Sequence, residues 1–151
     1  MHSTRTIHPP ALIGWRLLAL FYDLWPAAAL WMAVAALFLL VNHNAPLAAF
    51  SLGQIALWGV CWVVTGGYAI ASWDRGGKTL GMRPWRLRLA GVDGARPSLA
   101  ALSSRYVIGT LSLLAGGLGF WWAWWDRDGL TWHDRISGTR LVRECVPYGG
   151  S

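Results

Sequence analysis

Apolar residues run almost unbroken through three stretches of this chain, residues 14–41, 47–73 and 106–125, and the polar residues collect between and after them. A helix needs about 20 apolar residues to cross hydrocarbon, so each stretch predicts a membrane-embedded helix. The first would measure roughly 40 Å as a helix, with an expected kink at Pro26. A turn containing Asn42, His43, Asn44 and Pro46 should reverse the chain. The second stretch carries no charged residue, and Gly66-Gly67 should loosen its final turns. The first two stretches therefore predict a membrane hairpin. The third is also uncharged and ends in Trp121-Trp122-Ala123-Trp124-Trp125, an indole cluster suited to the membrane–water boundary.

The polar segments carry weaker patterns. Residues 74–97 hold Arg75, Lys78, Arg83, Arg86, Arg88 and Arg96. Within them residues 85–89 alternate apolar and basic, and Asp93-Gly94 is a turn signal, which predicts a short interfacial strand or hairpin. After the third stretch, Asp126, Asp128 and Asp134 intermingle with Arg127 and Arg135, while Leu130, Trp132, Ile136 and Leu141 are apolar enough to demand burial. This region predicts a folded cap against residues 74–97, with Leu141-Val142 adding a strand to residues 85–89. The expected fold class is an all-α integral membrane protein with three hydrophobic segments and a small interfacial cap containing a short β-hairpin. Residues 14–142 form the membrane domain, flanked by tails at 1–13 and 143–151.

Basic residues set the expected orientation. The first turn has no Lys or Arg and residues 74–97 have six, placing the former outside and the latter, with the N-terminus, in the cytoplasm. A third segment that crossed fully would carry Arg127, Arg135, Arg140 and Arg143 outside, against the rule. A re-entrant segment turning at Gly116-Gly117 and Gly119 returns the tail to the cytoplasm, provided the turn is buried in protein. The re-entrant course is the expectation.

Composition agrees with a membrane domain: of 151 residues 55% are apolar, 13% are charged and twelve are Trp. The net charge of +6 would suggest nucleic acid in a soluble chain. Here the basic residues bracket apolar runs, which fits the lipid bilayer and its anionic headgroups, so no nucleic acid is expected as a partner. The first stretch is too long for a signal-peptide core and should be retained. Cys61 and Cys145 are poorly placed for a shared disulfide or metal site. Gly76-Gly77-Lys78-Thr79 looks like the end of a phosphate-binding loop, but Ser72 stands where the upstream glycine is required and no strand leads in. No nucleophile motif or zinc spacing occurs, so neither enzymatic activity nor a metal or cofactor is expected.

The candidate chemistry lies in buried charge. Arg16 and Asp23 are seven residues apart and share a helix face, roughly 10 Å apart along the axis. Arg16, near the start of its segment, can anchor by reaching the headgroups or can act functionally. Asp23 should lie well inside the hydrocarbon, where it could bind a cation, exchange a proton or pair with Arg16 or Arg105. His133 and Asp134 are adjacent, about 100° apart around a helix, and so poorly arranged to serve one another. The expected ion pathway or polar cluster comprises Arg16, Asp23, Arg105, Asp126, His133 and Asp134. Arg75, Lys78, Arg83, Arg86 and Arg88 should form a basic loop facing lipid or a partner protein. Transport at Asp23 is the leading expectation, with two or more copies to enclose a pathway; a non-catalytic scaffold with a structural cluster is the alternative.

One family resemblance emerges from the motifs. Gly14-Trp15-Arg16-Leu17-Leu18-Ala19 followed by Asp23, then Gly77-Lys78-Thr79-Leu80-Gly81-Met82-Arg83, then Asp126 and Thr131-Trp132-His133-Asp134-Arg135-Ile136-Ser137-Gly138-Thr139, resembles the RDD family of small bacterial membrane proteins. The similarity extends over about residues 14–142. The family is named for one arginine and two aspartates; Arg16 and Asp23 match the first two, and the second aspartate falls at Asp126 or Asp134. The resemblance implies a multi-pass domain of the bacterial inner membrane, with transport or ion exchange the usual suggestion.

Overall fold

A computed structural model describes residues 13–43, 45, 47–92 and 94–144. Helix α1 (Ile13–Val41) runs through Pro26 as one element. Helix α2 (Leu52–Gly76) begins where the Ser51 hydroxyl accepts from the Gln54 N–H at 3.2 Å and ends at Gly77, which has a φ of 68°. It passes through Gly66-Gly67 without a break. Gly66 serves packing instead: a Cβ there would lie 2.7 Å from the Tyr106 ring.

Helix α3 (Leu99–Leu114) starts earlier than the apolar run suggests, because Ser98 caps it by accepting from the Ala101 N–H. It then stops. Gly116 and Gly117, with φ of 70° and 79°, take a left-handed path open to glycine. The chain leaves at 106° to α3 through α4 (Leu118–Trp121) and a single 3-10 turn at Trp122–Trp124. Helix α5 (Trp132–Ser137) follows, held by a capping box between Thr131 and Asp134 and ended at Gly138. Strand β1 (Leu87–Gly91) pairs antiparallel with β2 (Thr139–Arg143), Leu89 opposite Leu141.

The expected strand pairing with Leu141-Val142 is present, but the local hairpin is not. Asp93 lies outside the described residues; around it the Gly91 N–H donates to the Ala95 carbonyl and the chain turns toward α3 without a second strand. The partner of β1 comes from the far end of the sequence. Residues 85 and 86 also stay outside the strand, since Arg86 has a φ of 54°.

Side-chain contacts fix how the helices run. Trp31 donates to Thr65 at 2.8 Å and Tyr68 to Asp23 at 3.2 Å, so α1 and α2 are antiparallel. Tyr106 donates to the Trp62 carbonyl at 2.8 Å, Trp62 donates to Thr110, and the Arg105 guanidinium lies 5.7 Å from the Trp73 ring centre, so α2 and α3 are antiparallel too. The start of α1, the end of α2, the start of α3, α5 and both strands therefore share one end of the molecule. Ala19, Met82 and Leu87 form the core of this cap, packed by Trp15, Trp73, Trp85 and Leu141. Away from it the helices expose Trp25, Met32, Leu40, Leu52, Trp58 and Val63. Such a surface suits lipid and not water. Two helices, α1 and α2, are long and apolar enough to cross a membrane, and the bent α3–α4 pair counts as a third when taken as one segment.

Candidate functional site

Asp134 stands at the centre of the cap. It is the third residue of α5, where its carboxylate accepts from the Thr131 N–H at 3.3 Å while Thr131 Oγ1 accepts from the Asp134 N–H. This local motif aims the carboxylate away from solvent toward two arginines. Arg16 Nη2 of α1 lies 2.6 Å from Asp134 Oδ2, and Arg105 Nη1 of α3 lies 2.5 Å from Oδ1. Arg16 also donates to Thr131 Oγ1 at 3.2 Å and Arg105 to Thr139 Oγ1 at 2.9 Å. One carboxylate thus ties together α1, α3, α5 and the first residue of β2. Asp134 is fully buried and both arginines nearly so.

Electrostatics inside this cluster are one-sided, with two guanidinium groups against one carboxylate. Burial pushes the Asp134 carboxyl upward, but Arg105 and then Arg16 outweigh it and hold it below the usual carboxylate range. His133 sits beside the cluster with its ring against Phe120, 4.8 Å between centroids, and Nε2 3.9 Å from Asp134 Oδ1. Burial first and the Arg105 charge second lower its pKa to about 3, so it is neutral at physiological pH. Among the described residues its Nδ1 has no hydrogen-bond partner. The cluster accordingly carries one net positive charge.

Asp23 belongs to a separate site. Its Oδ1 accepts from the Gly81 N–H at 2.8 Å and the Tyr68 hydroxyl at 3.2 Å, and its Oδ2 accepts from Thr79 Oγ1 at 2.5 Å. The Leu80 N–H donates to the Tyr68 oxygen. Residues 79–81 are in this way pinned between α1 and α2. Gly81 makes the approach possible: a Cβ there would collide with the Ala19 carbonyl and fall 2.7 Å from the Asp23 carboxyl carbon. The pairing of Asp23 with Arg16 or Arg105 does not occur, because Asp134 engages both arginines. Residues 24–41, which follow it on α1, span about 27 Å as a helix.

Asp126 lies apart from both. It accepts from the Leu130 N–H at 2.9 Å and from Arg135 at 2.8 Å, and Arg135 reaches Asp128 at 3.4 Å, so these charges close the turn leading into α5. Of the two aspartates that the sequence left open as the partner of the family pattern, Asp134 is the one that meets the arginine. The expected six-residue cluster thus divides into Arg16, Arg105, His133 and Asp134 together, Asp23 alone on α1, and Asp126 at a surface turn. The sequence assigned no role to Tyr68, nor to Thr79, Gly81, Thr131 and Thr139, although these four stand in the motifs of the family resemblance. Thr131 carried a usable signal, a Thr three residues before Asp at the start of a short helix.

The basic loop is partly brought together. Arg75, Lys78, Arg83 and Arg86 line one open cavity of about 560 Å³ with Ser72 and Glu144, and Lys78 Nζ is 2.9 Å from Glu144. Arg88 is not part of it; its side chain packs against Gly77. Among the described residues no set of three His, Cys, Asp or Glu side chains is grouped to hold a metal. Cys61 is half-buried on α2, and Cys145 lies outside the described residues.

The family model described as the RDD family matches residues 10–138. No curated protein and no solved structure matches the chain significantly.

Proposed function

The chain belongs to the RDD family, and from that premise we propose that it is a multi-pass protein of the bacterial inner membrane whose arginine–aspartate sites are structural, holding a non-catalytic assembly platform at the cytoplasmic face. One observation carries this reading: each of the two aspartates is saturated by protein donors drawn from different elements. Asp134 is bracketed by Arg16 and Arg105, and Asp23 by Tyr68, Thr79 and Gly81. A carboxylate so occupied fixes geometry and has little left to offer a passing cation. The placement of charge supports the orientation, since residues 74–97 and Arg127, Arg135, Arg140 and Arg143 all lie at the cap end, and the α1–α2 turn has no Lys or Arg. The 106° bend after α3 supports a re-entrant segment that brings the tail back to that end.

A second reading, a proton or cation pathway at Asp23, draws on the hydroxyls of Tyr68 and Thr79 that flank it at the edge of the apolar zone. Hydroxyls both donate and accept, so the three groups could relay a proton. Purified protein in sealed vesicles decides between the two. The platform reading expects no dissipation of an imposed pH, sodium or potassium gradient beyond empty vesicles. Dissipation that Asp23→Asn abolishes and Asp128→Asn leaves intact would overturn it.

A further inference from the structure

We propose that the cavity between the last turn of α2 and residues 78–86 is a binding site for the phosphate of an anionic phospholipid. Four cations line it, from Arg75, Lys78, Arg83 and Arg86, against the single carboxylate of Glu144. Among the described residues only Lys78 has an ion-pair partner, at 2.9 Å from Glu144; the three arginines have none. Arg96 is paired with Asp74 and Arg135 with Asp126 and Asp128, whereas among the described residues Arg75, Arg83 and Arg86, like Arg88, Arg127, Arg140 and Arg143, have no ion pair; what sets the three apart is that they line one cavity together. Arg75, Arg83 and Arg86 are exposed around the cavity, so water screens their mutual repulsion, and an anion bridging them gains attraction from several cations at once. Guanidinium groups present planar pairs of N–H donors that suit phosphate oxygens, and the Ser72 hydroxyl adds a further donor.

The backbone supports a built site. Arg86 holds a left-handed φ of 54°, a conformation disfavoured for a residue with a side chain, and the structure keeps it there by pairing its carbonyl with the Glu144 N–H at 2.9 Å. The same hydrogen bond places Glu144 at the cavity wall beside Lys78. Glu144 is therefore an internal competitor, occupying one of the four cations until a stronger anion arrives.

Position selects the lipid over a free anion. On the membrane placement proposed above, the apolar zone of α2 ends near Tyr68, and Ser72 lies about 6 Å beyond it, in the headgroup layer. A phosphodiester anchored there can enter laterally from the bilayer. The cavity is open, and its volume of about 560 Å³ is larger than one phosphate group needs, leaving room for part of the glycerol moiety.

The test uses the full chain in a nonionic detergent, with thermal stability recorded against added phosphatidylglycerol, phosphatidylcholine or inorganic phosphate. Phosphatidylglycerol should raise Tm in a saturable way, and phosphatidylcholine should do so much less. Arg83→Gln with Arg86→Gln should weaken the apparent affinity about thirtyfold, two surface cations being lost. Glu144→Gln should strengthen it severalfold, a gain that no folding defect can imitate. Arg127→Gln, outside the cavity, should leave it unchanged. A shift produced equally by millimolar inorganic phosphate, and sensitive to the same substitutions, would uphold the phosphate chemistry and overturn the lipid as its source. No anion-dependent shift, or one indifferent to both the double variant and Glu144→Gln, would overturn the site. Failure of the protein to associate with membranes at all is a different result, which strikes the placement in the bilayer and is read separately by flotation.

Discussion

Replacing Asp134 by Asn removes one negative charge and almost no volume, so its effect reports the electrostatics of the cap nearly alone. With His133 neutral, the cluster changes from one net positive charge to two, and the Arg16 and Arg105 guanidinium groups lose charge-assisted contacts at 2.6 and 2.5 Å. Stranding a buried charge by removing its partner costs about 3–5 kcal/mol. For a domain of this size that is about 10–20 °C in Tm. Arg16→Gln has the opposite sign of charge change: it leaves Arg105 and Asp134 as a neutral pair, so its loss should be smaller, about 1–3 kcal/mol. The double variant Asp134→Asn with Arg16→Gln strands only Arg105 and should be more stable than the sum of the single losses predicts. Thermal unfolding followed by Trp fluorescence in detergent, with size-exclusion chromatography to confirm monodispersity, reads all three. Two results would refute the reasoning: an Asp134→Asn loss below about 1 kcal/mol, within the range of surface changes, or strict additivity in the double variant.

Acid should weaken the same cap through His133. Its folded pKa of about 3 lies below the unfolded value near 6.5, so the unfolded chain binds the extra proton and stability falls as pH drops from 6.5 toward 3. By pH 5 this amounts to about 2 kcal/mol, and His133→Gln should flatten the Tm-versus-pH curve over that window. Asp134 adds to this loss only below about pH 5, where the unfolded carboxyl, near 3.8, begins to take up protons while the depressed folded pKa keeps the native carboxylate ionised. Gly81→Ala should lower stability by about 3 kcal/mol because the new methyl meets the Ala19 carbonyl; a Tm within 2 °C, roughly, of the parent would contradict that close approach. For topology, reporters fused at either terminus should both read cytoplasmic and one inserted beside Ala45 should read external; a C-terminal reporter outside would restore a third full crossing.

The sequence by itself determined where the long helices lie. Long apolar runs leave few alternatives to helices, and their length suffices to place α1 and α2, with Arg16 and Asp23 as the charges within α1. The glycine pair at Gly116-Gly117 likewise announced the bend, since only residues free of a Cβ take that path readily. Capping at Ser51, Ser98 and Thr131 was equally local, although the sequence reading extended the second stretch from residue 47 and began the third at 106.

What only the tertiary structure decided was which charges meet. Shared helix face made Arg16 and Asp23 look like partners, but seven residues along an axis leaves them roughly 10 Å apart. Each is satisfied more cheaply by a group arriving from another element, Arg16 by Asp134 from 118 positions later and Asp23 by the loop after α2. The pairing of β1 with β2 was legible in the sequence, but that it stands in place of the local hairpin that Asp93-Gly94 suggested was not. Long-range contacts depend on where the chain returns, and that return is set by the packing of α5 against α3 around one buried carboxylate. No local pattern encodes such a meeting, because each partner's sequence neighbourhood records only that it is polar and must be paired, not with what.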